Sequence, residues 1–204
     1  MVIDTIFFDI GGVLGSNGWD TEARAAAVRA FELNGDEYEY RHHDAVGPWE
    51  EGRISMDTYL DLTVFYQTRS FSRDEFRSFM LANSIPNVAM VDVARALNRS
   101  GQYRLMSLNN EAAELHEYRV RRFKLSGIFC AFLTSCYLSV RKPMPEFYHR
   151  ALGIAQMEPG RCVFIDDREQ NLIAARALGI NTILYTSPDD VCRRLATYNV
   201  LVNA

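Results

Sequence analysis

The four cysteines of this 204-residue chain, Cys130, Cys136, Cys162 and Cys192, include no C-x-x-C pair. Zinc sites and thioredoxin-like centres use that spacing, so neither is expected. All four lie in or beside apolar stretches, which predicts buried free thiols. Long hydrophobic runs are absent too. The longest, residues 128–133, falls far short of the ~20 residues that span a bilayer. The first residues lack a basic stretch leading into an apolar one, so we expect no secretory signal, no membrane partner and a cytoplasmic protein. Positive charge is not in excess. The 22 Lys and Arg face 26 Asp and Glu, for a net charge of −4. Proteins that bind nucleic acid by neutralising phosphates are usually basic, so no nucleic-acid partner is expected. The densest basic run, Arg119, Arg121, Arg122 and Lys124, reads as the solvated face of a helix.

What is present is ordinary for a globular chain: 48% hydrophobic and 24% charged residues. The length suits one large domain, or one domain with an insert. Residues 2–8 are apolar and β-branched and stop at Asp9, as a buried strand does. Further strands are expected at 103–106, 131–134, 162–165 and 181–185. Helical patterns fall between them at 88–98, 111–123, 146–152 and 170–178, with a last helix at 188–196. Strands alternating with helices predict an α/β fold, a doubly wound parallel five-stranded sheet. From residue 20 to about residue 84 only helical patterns occur, among them 20–33, 55–66 and 72–81. Ser72 and Glu75 have capping-box spacing. The expected organisation is therefore a core of residues 1–14 and 87–204, with an all-helical insert at 15–86.

Polar residues cluster at the carboxyl ends of four expected strands: Asp9; Ser107 with Asn109; Lys142; and Asp166 with Asp167. Open α/β sheets bind ligands at those ends. Three carboxylates brought together repel, so the site calls for a cation or a proton. Mg²⁺ suits few carboxylates plus a substrate phosphate. Lys142, Ser107 and Asn109 are the candidates for holding phosphate oxygens. Asp9 is placed to attack phosphorus.

Phe8-Asp9-Ile10-Gly11-Gly12-Val13-Leu14 resembles the first motif of the haloacid dehalogenase-like (HAD) hydrolase superfamily. Leu105-Met106-Ser107-Leu108-Asn109-Asn110 resembles the second, Arg141-Lys142-Pro143 the third, and Val163 to Arg168 with Asn171 the fourth. The resemblance implies a Rossmann-like core with a helical cap of the C1 type. It implies Asp9 as nucleophile and metal ligand, Gly11 as a metal ligand through its carbonyl, and Asp166 and Asp167 as metal ligands. Ser107 and the Leu108 N–H would hold phosphate, and Lys142 would pair with Asp9 and the phosphate. Arg168 and Asn171 would order the fourth loop. The implied enzyme is a Mg²⁺-dependent phosphatase acting on a small phosphorylated metabolite, such as a sugar phosphate, through an aspartyl-phosphate. It would work as a monomer or homodimer.

One position departs from the phosphatases of that superfamily. Most carry a second Asp two residues after the nucleophile as general acid; here Gly11 stands there. Asp9-x-Gly11 resembles a sugar-1-phosphate phosphatase group most closely. The alternatives are a 2-haloacid dehalogenase and a phosphometabolite-binding protein with weak turnover. Phosphonate cleavers need a lysine from the cap, and no lysine precedes Lys124. A general acid contributes about 10²–10⁴ in rate. Its absence predicts that aryl, acyl and anomeric phosphates outpace alkyl ones, unless His42 or His43 supplies the proton. Trp19, Trp49, Glu50, Glu51, Arg53 and Tyr66 are the other insert residues considered for the cleft.

Overall fold

The computed structural model describes residues 2–202. Among them, five strands form one parallel sheet: β1 (Thr5–Phe8), β2 (Arg104–Asn109), β3 (Ala131–Thr134), β4 (Cys162–Asp166) and β5 (Asn181–Leu184). Between β1 and β2 lie helices α1 (Thr21–Ala30), α2 (Gly35–Glu50), α3 (Met56–Thr63), α4 (Arg73–Ala82) and α5 (Val88–Arg99). After β2 come α6 (Ala113–Arg122), α7 (Ser135–Leu138), α8 (Pro145–Ala155), α9 (Glu169–Ala177) and α10 (Pro188–Thr197).

The strand order is β3-β2-β1-β4-β5. The chain winds outward from β1 through β2 to β3, then returns to the other side of β1 for β4 and β5. That reversal opens a crevice between the carboxyl ends of β1 and β4. Every residue of β1 and β4 is buried, as parallel strands covered on both faces require. Ile6 and Phe8 pack with Met90, Val91, Val191 and Leu195 from α5 and α10. On the opposite face, Phe7 and Phe164 meet Phe147, Tyr148 and Leu172 from α8 and α9.

Some boundaries differ from the sequence reading. β1 begins at Thr5. β2 runs on to Asn109, because Ser107 and Asn109 stay paired to β3 opposite Phe132 and Thr134. These polar residues are tolerated inside the sheet because the Ser107 hydroxyl donates to Asn109 Oδ1 at 2.9 Å. Ser72 and Glu75 do form the reciprocal capping box of α4, worth about 1 kcal/mol. Not all cysteines are buried: Cys136 and Cys162 are, Cys192 is half-buried, and Cys130 is exposed. Cys130 lies just before the short β3, at the edge of the sheet. The basic run also divides. Arg121 and Arg122 face solvent, but Arg119 is turned inward with Leu115 and His116, one helical face spaced at three and four residues.

α1–α4 share their own apolar cluster, including Ala27, Tyr38, Trp49, Tyr59, Phe76 and Met80, extended by Leu115 of α6. The chain enters and leaves this helical segment side by side. Gly15 bridges Pro86, and the Ser16 N–H donates to the Ile85 carbonyl at 2.8 Å. A Cβ on Gly15 would stand 2.8 Å from that carbonyl, so the close crossing needs glycine. Among the described residues no helix is long and apolar enough to cross a membrane.

Candidate active site

Asp9 follows β1 and Asp166 ends β4, so the two carboxylates face each other across the crevice. Lys142 reaches between them. Its Nζ lies 3.1 Å from Asp9 Oδ2 and 2.7 Å from Asp166 Oδ2, and all three side chains are buried. The ammonium is delivered by a loop after α7 in which the Lys142–Pro143 peptide is cis. Asn110 clamps that loop. Its Nδ2 donates to the Lys142 carbonyl at 2.9 Å, and its Oδ1 accepts from the Lys142 N–H at 2.8 Å. Asp166 Oδ1 accepts from the Arg168 N–H at 2.7 Å, and the Asn171 amide bonds both of its oxygens at 3.1 Å. Arg168 thus orders the loop through its backbone, and Asn171 through its side chain.

Asp9, Asp166 and Asp167 bring one carboxylate oxygen each within 4.8 Å of one another. Asp167 approaches because residue 12 is glycine at φ +77°; a Cβ there would overlap the Asp167 carboxylate. One ammonium cannot balance three carboxylates. Burial pushes the Asp9 carboxyl up to about 8; Lys142 opposes the rise, and Asp166 and Asp167 add to it. Burial, then Asp166, also raises Asp167, whose buried Oδ1 has no hydrogen-bond partner. Lys142 stays charged: burial disfavours the ammonium, but Asp9 and Asp166 outweigh it and hold its pKa above the usual value. An orphaned buried oxygen amid surplus negative charge fits a divalent cation.

The three acids and Lys142 therefore come together as the sequence reading expects. Ser107 and Leu108 lie at the same strand ends, both fully buried. The side chain of Asn109 does not face the cleft. It is buried among Ser107, Thr134 (Oγ1 at 3.1 Å) and Glu111, while its neighbour Asn110 lines the opening. Identifying which asparagine leaves the strand required the true end of β2, beyond the reach of the apolar pattern.

Above the acids is a cleft of about 480 Å³ between the sheet and α1–α2. Its lining is mostly polar, with Trp19, Val46 and Pro143 as the main apolar members. Of the insert residues weighed from the sequence, Trp19, His42 and Glu50 reach the cleft. Arg53 pairs with Glu51 and Tyr66 stacks under Arg41, both outside it. Trp49 stacks on Tyr59 behind the wall. His43 points to solvent beside Asp44. His42 bonds the Tyr59 hydroxyl through Nδ1 at 2.8 Å. Burial, then Arg24, pulls its pKa down to about 4, which favours the neutral ring at pH 7.

That depression ties His42 to acid stability. Unfolded, the ring takes up a proton below about pH 6.5; folded, only below about 4. The stability it confers is complete above pH 6.5 and is lost as the pH falls from 6.5 to 4. Between pH 7 and pH 5, urea unfolding of the wild type should lose roughly 2 kcal/mol more than that of His42→Gln. Equal losses in the two proteins would remove His42 as the cause.

The family described as "Hydrolase: haloacid dehalogenase-like hydrolase" matches residues 3–179. The chain belongs to this family. Among curated proteins it is 33% identical over 82 residues to flavin mononucleotide hydrolase 1 of Arabidopsis thaliana, covering 40% of this chain and 34% of that one. It is 28% identical over 110 residues to the sesquiterpene phosphatase astK of Aspergillus oryzae, covering 54% of this chain and 56% of that one. The chain thus spans between about a third and just over half the length of these relatives. Among solved structures, a HAD family enzyme of Bacteroides thetaiotaomicron, in complex with magnesium and inorganic phosphate, superposes with a TM-score of 0.76. It is 22% identical, over 90% of this chain and 94% of that one, and shares the HAD fold.

Proposed function

We propose that this HAD-family chain is a Mg²⁺-dependent phosphatase that hydrolyses a small, hydroxylated phosphate ester, such as a sugar phosphate, through phospho-Asp9. One observation carries the reading: a buried ammonium bridges two of three converging carboxylates, and the third keeps an unpartnered oxygen. Bound by Asp9, Asp166, Asp167 and the Gly11 carbonyl, Mg²⁺ supplies the positive charge that lets a phosphate dianion approach these acids.

The chain's own groups do the rest. The Ile10 N–H holds Asp9 Oδ1 at 2.8 Å and Lys142 holds Oδ2, which fixes the carboxylate for attack on phosphorus. An Asp9 oxygen bonds to phosphorus, the ester P–O bond breaks, and water then cleaves the acyl phosphate to restore Asp9. Lys142, the Leu108 N–H and the Ser107 hydroxyl hold the phosphoryl oxygens. Ser107 can turn its proton toward phosphate without orphaning Asn109 Oδ1, which Thr134 also serves.

The polar lining, with Asp20, Arg24, Glu50 and Arg141 among its members, favours a hydroxylated substrate over an isoprenoid one. Residues 15–86 act as the cap over the cleft, and the paired crossings at Gly15–Ser16 and Ile85–Pro86 as its hinge. Four free cysteines accord with a reducing compartment such as the cytoplasm, and monomer or homodimer is the expected state.

The test is phosphate release from a panel of phosphate esters, run beside halide release from 2-haloacids. Phosphate release should fall at least about 100-fold in EDTA and return with Mg²⁺. Asp167→Ala should raise the Mg²⁺ concentration needed for half-maximal activity. Metal-independent halide release, without phosphate release, would establish a dehalogenase instead.

A further inference from the structure

We propose that Arg119 is a catalytic residue: its Nη1 holds the departing oxygen of the substrate by charge, in the space that Gly11 leaves open. The inference rests on the phosphatase reading above.

Arg119 is 1% exposed. Its Nε lies 3.1 Å from Glu111 Oε1 and donates to Ser84 Oγ at 3.3 Å, and its Nη2 donates to the Ser16 carbonyl at 2.8 Å. Nη1 makes no hydrogen bond to the described residues. It stands instead at the cleft, 3.6 Å from where a Cβ on Gly11 would lie, with Asn17 Oδ1 equally near. Nη1 faces the cleft with no protein acceptor, so its natural complement there is an anionic or polar oxygen from the ligand. The other cations of the cleft are committed or exposed. Arg24 pairs with Glu39, Arg141 with Glu50 and Glu51, and Lys142 with Asp9 and Asp166, while Arg168 faces solvent.

Displacement at phosphorus is in line, so an attack from Asp9 sends the leaving oxygen away from the floor and up the cleft. On this proposal the oxygen arrives beside Gly11, Asn17 and Arg119, which lie together at the cleft. As the Asp9–phosphorus bond forms, the ester P–O bond breaks and its electron pair stays on the leaving oxygen. Arginine does not surrender a proton near neutrality. It stabilises the oxygen's charge until a cleft water protonates it. The hydroxide that remains is consumed when the aspartyl-phosphate is hydrolysed. Arg119 thus lowers the need for a general acid without replacing one.

The experiment compares kcat/KM for 4-nitrophenyl phosphate and a simple alkyl phosphate in wild type, Arg119→Lys and Arg119→Ala. The alkyl-to-aryl ratio does not depend on the fraction of active protein. We expect it to fall about 100-fold in Arg119→Ala and less in Arg119→Lys. Added guanidinium should restore the alkyl reaction of Arg119→Ala in preference to the aryl one. An unchanged ratio in both variants would overturn the proposal and leave Arg119 as a clasp between Ser16 and Ser84. So would a wild type that hydrolyses aryl but not alkyl esters. If the Arg119 variants do not fold, Gly11→Ala gives the same reading. Its Cβ meets only ordinary contacts but fills the gap beside Nη1, so the ratio should fall, and an unchanged ratio overturns the proposal. A wild type that releases no phosphate from any ester instead defeats the phosphatase reading itself.

Discussion

Asp9→Asn is expected to remove turnover, by about 10⁴–10⁶-fold, while the protein still folds. The proposed chemistry begins with an electron pair on Asp9 Oδ, and an amide oxygen is too weak a nucleophile to replace it. The fold does not depend on the charge. The Asn carbonyl can keep the 2.8 Å bond from the Ile10 N–H, and Lys142 retains Asp166 at 2.7 Å. Removing one of three crowded carboxylates also relieves the repulsion that, after burial, raises Asp9 to about 8. Thermal unfolding of wild type and variant, measured beside kcat, separates the two effects. Activity within tenfold of wild type, with unchanged unfolding, would take Asp9 out of the mechanism.

Lys142→Ala should be the most destabilising single change at the site. The ammonium is the partner of two buried acids, and its loss leaves Asp9 and Asp166 facing each other uncompensated. Breaking a buried pair on one side costs about 3–5 kcal/mol. For a chain of this size that lowers the melting temperature by roughly 6–20 °C. The melt belongs in EDTA, so that no cation substitutes for the lost charge. Lys142→Arg keeps the charge but not the reach, and should recover stability better than activity. A melting temperature within about 2 °C of wild type for Lys142→Ala would show that the acids are already neutral without it.

The parts of the site at strand ends were legible in the sequence. Asp9, Asp166 and Asp167 each close an apolar run, and a polar residue after a buried strand points out of the sheet's carboxyl edge. The four motifs then carried the family, and the alternation of strands and helices carried the topology. What escaped depended on partners distant in sequence. Arg119 sits in a basic run whose neighbours are solvated. Nothing local says that Glu111, Ser16 and Ser84 draw it inward. The apolar pattern points to Asn109 rather than Asn110, because β2 runs three residues further once Ser107 and Asn109 satisfy each other inside the sheet. The histidine pair was readable as a pair only. Which ring enters the cleft is decided by the register of α2, where His42 faces Tyr59 and His43 faces solvent.

The paired crossings at Gly15 and Pro86 have a bearing on how such a chain changes over time. A segment of about 70 residues departs from the core and returns to it at neighbouring points, joined by backbone hydrogen bonds and by the Ser16 hydroxyl, which accepts from the Ile85 N–H. Closing the loop is therefore a local matter, and the closure entropy of a flexible loop grows only slowly with its length. Changes in the helices between those points need not move Asp9, Lys142 or Asp166 where they spare the contacts of Glu50 with Arg141 and Ser135. On the proposed reading, what the cleft admits is written mainly between residues 15 and 86, and what is done to it in the strand ends beneath and at Arg119, where the two parts meet.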